Sequence, residues 1–252
     1  MLISGADSDG VAVLRLWQAQ DIKNFDMKSF ESGDYSRAMR DNNSAELISK
    51  VLYPPDSHNE GKSLRLKQQY FLVSASIQNI IKNHIKEYGT LDNFSEKVAI
   101  HINDTHPALC VPELMRIFMD EYHYSWDEAF KMVTETVNYT NHTVLSEALE
   151  KWPEVLIKHL MPRIYGIIKE LNERFCADMW SKYPGDWDKI SRMSIISNDQ
   201  VKMANLSVIG SKKVNGVSQL HSDILKEDVF ADFYHASPNK FTNVTNGIAH
   251  RR

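Results

Sequence analysis

Two short apolar runs, each followed at once by a polar or glycine-bearing turn, constrain this chain more than anything else in it. Val98-Ala99-Ile100-His101-Ile102 leads into Asn103-Asp104-Thr105-His106-Pro107. Leu206-Ser207-Val208-Ile209 leads into the segment 210–216, which begins and ends on glycine. Each run reads as a buried strand. Strand, turn and helix alternate around them, with long helical patterns between, so the expectation is a helix-rich α/β layer fold. In such folds ligands sit outside the carboxyl ends of the strands. That rule points at 103–106 and 210–216.

The clearest helical pattern spans 66–88, where Tyr70, Val73, Ile77, Ile80, Ile81, His84 and Ile85 recur and Gly89 supplies a stop. Residues 34–52 read as a second helix, apolar only at its ends: Tyr35, Ala38 and Met39, then Ala45, Ile48 and Leu52. Its middle, 40–44, is polar all round, as in a helix that is marginal or projects from the body. Residues 54–61 are rich in turn formers and read as a surface loop. Residues 11–17 read as a short strand preceded by a turn at 4–10.

Pro112 opens a helix, and Ser125 with Glu128 forms a capping box. Residues 136–143 make a polar, β-branched crossing into a short helix near Glu147. Pro153 starts a helical stretch to about Met179, bent at Pro162, and a further helix is expected over 217–225.

Composition removes several function classes. The 252 residues are 42% hydrophobic and 25% charged, enough apolar material for a sizeable core. The net charge of −4, with no basic tail or arginine stripe, disfavours nucleic acid as a partner. Two cysteines, Cys110 and Cys176, make neither a disulfide scaffold nor a cysteine zinc site. No apolar run has the length of a membrane span, and residues 1–10 have no signal-peptide character. These features together read as a cytoplasmic protein.

The chemistry-bearing residues do not add up to a mechanism. His101, Asp104 and His106 lack metal-ligand spacing. They form either a polar ligand-binding turn or a structural one with Asp104 capping the backbone. The glycines of 210–216 have the wrong spacing for a phosphate loop, though they would let a backbone approach a ligand closely. Asn141-His142-Thr143 lies in a polar crossing, where His142 is equally a buried, hydrogen-bonded histidine. Trp17, Trp152 and Trp187 could stack on sugars or belong to the core. Glu147, Glu150 and Glu154 could be paired carboxylates or a solvated face. No complete nucleophile or acid–base pair emerges.

Longer strings narrow the reading. Arg15-Leu-Trp17, Val51-Leu-Tyr-Pro54 with Glu60-Gly-Lys62, and Leu64-Arg-Leu-Lys-Gln68 occur in order. They are followed by Ile102-Asn-Asp-Thr-His-Pro107, Tyr139-Thr-Asn-His-Thr-Val-Leu145 and Glu147-Ala-Leu-Glu-Lys-Trp-Pro153. Val214-Asn-Gly-Val217 and Thr245-Asn-Gly-Ile248 with Arg251-Arg252 complete the set. The eight together resemble the α-glucan phosphorylases, the family of glycogen, starch and maltodextrin phosphorylases.

The resemblance implies part of a Rossmann-like half of a glycosyltransferase-B-type fold, with 1–252 a partial N-terminal domain and the C-terminal cofactor domain absent. It implies a hexosyltransferase of carbohydrate metabolism that moves a terminal α-1,4-glucosyl unit to phosphate, giving glucose 1-phosphate, while the fragment alone is inactive. It implies pyridoxal 5′-phosphate held by a lysine that this chain lacks.

Residue by residue, the His142 backbone carbonyl would face the reacting glucosyl unit. Asp104 and His106 would line the glucan side of the cleft, Val217 the sugar pocket, and Asn246 would hold the 6-hydroxyl. Asp56 would lie in the mobile gate at 54–61, and helix 34–49 would pair across a homodimer. Some members of the family are allosteric. Here Ser57, His58 and Asn59 stand where the animal muscle type has Asn-Phe-Phe, and Lys82-Asn83 where it has a regulatory arginine pair. Control by AMP or phosphorylation is therefore not expected. Ser146 replaces a usual proline, and Ala249-His250 replace Thr-Pro. The rival reading is a non-catalytic glucan-binding or dimerisation module.

Overall fold

The computed structural model describes residues 1–5, 9–22 and 25–249. The expected turn at 4–10 and the closing motif with Arg251-Arg252 fall partly outside them, as does His250. The chain divides into two compact units, 1–75 and 76–252.

In the first unit β1 (Leu2–Ser4) pairs antiparallel with β2 (Val11–Val13), and all six residues are exposed. Helix Met27–Glu31 is capped by Asp26, whose carboxylate accepts from the Ser29 hydroxyl and N–H and is held below the usual carboxylate range by these bonds. The expected helix over 34–52 is two helices, Tyr35–Ala38 and Arg40–Lys50, divided at Met39. Asp34 caps the first, and Ala38, its one buried residue, packs inward, whereas Arg40–Lys50 buries nothing. A short turn with its own cap and one anchor has different packing needs from the polar segment after it.

The surface loop ends earlier than expected. Helix Asn59–Tyr88 begins inside 54–61, because the Gly61 N–H donates to His58 Nδ1 at 3.0 Å and the Lys62 N–H to the His58 carbonyl. The helix continues into the second unit, buries Val73, Ile77, Ile81 and His84, and stops at Gly89, whose φ of +73° suits glycine.

The second unit holds β3 (Ile100–Asn103), β4 (Val137–Thr140), β5 (Lys151–Pro153), β6 (Ile196–Ser197), β7 (Gln200–Lys202), β8 (Val214–Gly216) and β9 (Phe241–Asn243). Strands β3-β4-β8-β9 form one parallel sheet in that order, and β5-β7-β6 a small antiparallel one. Parallel neighbours need crossover connections. Helices Cys110–Arg116 and Trp126–Thr136 supply the first, and four helices between Glu154 and Gly210 lie within the second. Ser125 and Glu128 make the expected capping box. The stretch after Pro153 is two helices, Glu154–Leu160 and Pro162–Lys182. Met161 leaves helical geometry, and Pro162 occupies the first turn of the second, where its missing N–H costs nothing.

The run 206–209 is not a strand. It belongs to helix Met203–Gly210, every residue of which is buried. A helix buried all round has no polar stripe to reveal its period, so a short apolar run cannot be told from a strand. Its polar members turn inward: the Asn205 amide donates to the carbonyls of Arg192 and Ser194 at 2.8 Å, and the Ser207 hydroxyl to the Met203 carbonyl.

The two glycines singled out by sequence serve packing here. A Cβ on Gly210 would meet Val111 side-chain atoms at 2.5 Å. One on Gly216 would lie 2.3 Å from Ser222 Oγ and 2.8 Å from its Cα. Gly216 thus lets helix Gln219–Ile224 sit against the end of β8.

Candidate functional site

Register sets the site. Asn103 pairs with Thr140, Thr140 with Asn215, and Gly216 with Asn243, so the four parallel strands end within one residue of one another. The residues that follow them are Asp104 to His106, Asn141 to Thr143, Val217, and Val244 to Asn246. Five of the six expected site residues therefore come from turns on one sheet edge. The segment 103–106 does stand at the carboxyl end of a strand, β3. The strand-end rule moves the second candidate from 210–216 to Val217, because β8 lies inside that segment.

The turns are tied to one another. Asp104 sits at φ +62°, which short polar side chains tolerate. Its N–H donates to the Thr140 carbonyl at 2.9 Å, and its Oδ1 accepts the Thr105 N–H at 2.6 Å. The Asn141 N–H donates to the Asn215 carbonyl, and the Asn246 N–H to the Val217 carbonyl at 3.0 Å. Asn215 uses its amide both ways, donating to Thr140 Oγ1 at 3.2 Å and accepting from the Val244 N–H at 2.6 Å. Asn243 donates to the Gly216 carbonyl and to Ser222 Oγ.

His142 is exposed and its Nε2 meets Asn103 Oδ1 at 2.5 Å. Beneath it the edge is buried and polar. The Asn141 amide donates to the Tyr139 hydroxyl at 2.9 Å, and Asn141 Oδ1 accepts the Thr143 N–H at 2.9 Å. Burial pushes the Tyr139 phenol up, so it stays protonated. His221, also buried, reaches Val217 N, Asn141 Oδ1 and Thr143 O. Sequence reading did not point to His221, whereas Asn103 and Asn215 lie inside 103–106 and 210–216, the two segments to which the strand-end rule pointed. The available signal was Ser218 as an N-cap, which puts His221 in the first helical turn beside Val217.

The glutamate row is not a carboxylate pair. Glu150 accepts from Thr105 Oγ1 at 2.9 Å, Glu154 accepts from the Tyr165 hydroxyl, and Glu147 is exposed. Trp152 is core, whereas Trp187 is exposed and packs on Trp180 with centroids 4.3 Å apart. Asp56 belongs to the first unit, where its carboxylate accepts from Arg65 at 3.1 Å and Arg65 covers the Tyr53 ring. Among the described residues no three His, Cys, Asp or Glu side chains are grouped to hold a metal. No helix among them is long and apolar enough to cross a membrane.

The site offers no amine for a Schiff base: the turns after β3, β4, β8 and β9 contain no lysine. Half-buried Lys240 lies at the opposite, amino end of β9. Its Nζ donates to the Val208 carbonyl at 2.6 Å and the Ile209 carbonyl at 3.2 Å. The residues of these turns therefore do not fit the covalent attachment of pyridoxal phosphate.

Fold and edge together define a mixed α/β protein whose candidate site is a row of hydrogen-bonded turns at the end of a parallel sheet. The carbohydrate phosphorylase family profile matches residues 1–252, and the chain belongs to that family. It is 53% identical over 250 residues to the glycogen phosphorylase of Bacillus subtilis (strain 168). It is 49% identical over 253 residues to that of Chlamydia pneumoniae, and 47% over 261 to the muscle form of Ovis aries. Each match covers 99% of this chain but only 30% or 31% of the relative.

Proposed function

We propose that this chain supplies part of the sugar-binding wall of an α-glucan phosphorylase, within one Rossmann-like half of a glycosyltransferase-B-type fold. The supporting observation is the common edge: Asp104, His106, His142, Val217 and Asn246 all follow parallel strands that end within one residue of one another. In the whole protein the glucan C1–O bond breaks and a C1–O bond to phosphate forms. The phosphate proton ends on the freed 4-hydroxyl. Positive charge develops on the sugar meanwhile, and preorganised dipoles around it lower the barrier. The His142 carbonyl would face that charge. The Asn246 amide would fix the 6-hydroxyl, with Asp104, His106 and Val217 shaping the pocket. Asp56 would belong to a gate, and helix Arg40–Lys50 to a homodimer contact. The proposed location is the cytoplasm, where glucan and phosphate are both at hand.

Pyridoxal phosphate is proposed for the whole protein, where it would supply acid–base chemistry at the substrate phosphate. Its lysine is placed outside this chain. The binding-module reading gains no support from the relatives reported, each named as an enzyme.

A chimera tests the reading. This chain replaces the matching 250 residues of the Bacillus subtilis glycogen phosphorylase. Phosphate-dependent release of glucose 1-phosphate from glucan is expected. A folded chimera that binds glucan but releases none would favour the module.

A further inference from the structure

We propose that His221 is a positioning residue: a neutral imidazole, protonated on Nε2, that locks the turn bearing His142 to the turn bearing Val217. The inference rests on the sugar-wall reading above and names a side-chain tie between two of its turns.

The tautomer follows from partners. The Val217 N–H points at Nδ1 from 3.1 Å, and an N–H donor can face only a bare ring nitrogen. The proton of the neutral ring is then on Nε2. That atom faces two acceptors, Asn141 Oδ1 at 3.2 Å and the Thr143 carbonyl at 3.4 Å. The orientation of the Asn141 amide agrees. Its oxygen accepts from the Thr143 N–H and its nitrogen donates to the Tyr139 hydroxyl, so a flipped amide would set donors against donors. His221 is 6% exposed and Asn141 and Tyr139 are 0% exposed, so water does not replace these bonds. The ring itself is fixed from behind. Ser218 caps the helix by accepting the His221 N–H at 3.1 Å, and Gly216 admits Ser222 beside β8.

The consequence falls on His142. The residue before it is held by the Asn141 N–H on the Asn215 carbonyl. The residue after it, Thr143, is held through its N–H by Asn141 and through its carbonyl by His221. A backbone carbonyl clamped on both sides cannot swing away from the sugar. The same imidazole holds Val217, so it adds a side-chain tie between the two turns to the backbone bond from Asn141 to Asn215. Such a residue acts on orientation in the transition state more than on ground-state glucan affinity.

Two variants separate the two bonds. Asn at 221 can accept from Val217 but cannot reach Asn141, whereas Gln can donate to Asn141 from the Nε2 position. In the chimera, His221→Ala and His221→Asn are expected to lower kcat by about 10–100-fold, the scale of a misplaced reacting group, with glucan KM little changed. His221→Gln is expected to restore kcat close to the parent. Equal kcat for the Asn and Gln variants, or a loss confined to KM, would overturn the proposal. A second reading needs no activity. In this chain labelled with 15N-histidine, the resonance lost in His221→Gln should belong to an Nε2–H tautomer. An Nδ1–H or doubly protonated ring would overturn the assignment. An inactive parent chimera would refute the phosphorylase reading alone, with the tautomer still deciding the role of His221.

Discussion

His142 Nε2 and Asn103 Oδ1 meet at 2.5 Å, joining the turn after β4 to the carboxyl end of β3. The His142 side chain thus reaches outward to a neighbouring strand, while its backbone stays between two clamped residues. The side-chain contact is therefore separable from the role proposed for the carbonyl, and substitutions can tell them apart.

Removing either partner should cost little and the costs should overlap. The pair is exposed, so His142→Ala and Asn103→Ala are each expected to lose about 0.5–1 kcal/mol of stability. The double variant should lose no more than the worse single one. Urea unfolding of the three variants checks this. Strict additivity would mean that the contact is not formed in solution.

Lys240 should make stability depend on pH. Burial pushes its amine down from 10.5 to about 8. The unfolded chain therefore holds this proton more tightly than the folded one. Its contribution is complete above 10.5 and is lost as pH falls through about 8. The stability difference between the parent and Lys240→Met should grow across that window by at most about 1.4 kcal/mol per pH unit. Taking the difference cancels other titrating groups, including the tyrosines. A difference flat in pH would contradict the buried amine.

Parts of this structure were legible in the residues and parts were not. The periodicity of Tyr70 to Ile85, the Gly89 stop and the Ser125–Glu128 box were readable because each is a local pattern with a local cause. The run 206–209 was not, since a helix buried on every side has lost its polar stripe. The strand-end rule pointed to Asp104 and His106 and the ordered motifs to His142, Val217 and Asn246, and the sheet register puts the turns that carry them on one edge. The His221–Asn141 bond spans 80 positions, and only the sheet brings its ends together.

If Arg40–Lys50 pairs two copies, the exposed apolar residues on it and at its N-cap, Met39, carry the contact. Met39 and Leu47 are 39% and 45% exposed, whereas Ala38 is buried and its replacement would unfold the turn instead. Met39→Asp with Leu47→Asp is expected to convert any dimer to monomer in sedimentation. An unchanged dimer would place the interface elsewhere.

The chain alone should form no covalent adduct with pyridoxal phosphate. Its site turns hold no lysine, and Lys240 is engaged with two carbonyls. Absorbance with the cofactor before and after borohydride is expected to show no stoichiometric reduced lysine. One modified lysine per chain would contradict this.

The central claim, that these strand ends form the sugar wall, is tested most directly at Asn246. Its N–H is anchored on the Val217 carbonyl at 3.0 Å and its side chain belongs to the exposed edge. In the chimera, glucose 1-phosphate release at saturating glucan and phosphate is measured for the parent and for Asn246→Ala. Loss of one preorganised donor should cost roughly 2–4 kcal/mol of transition-state stabilisation, a fall of about 30- to 1,000-fold in rate. Parental turnover in Asn246→Ala would contradict the assignment of the site.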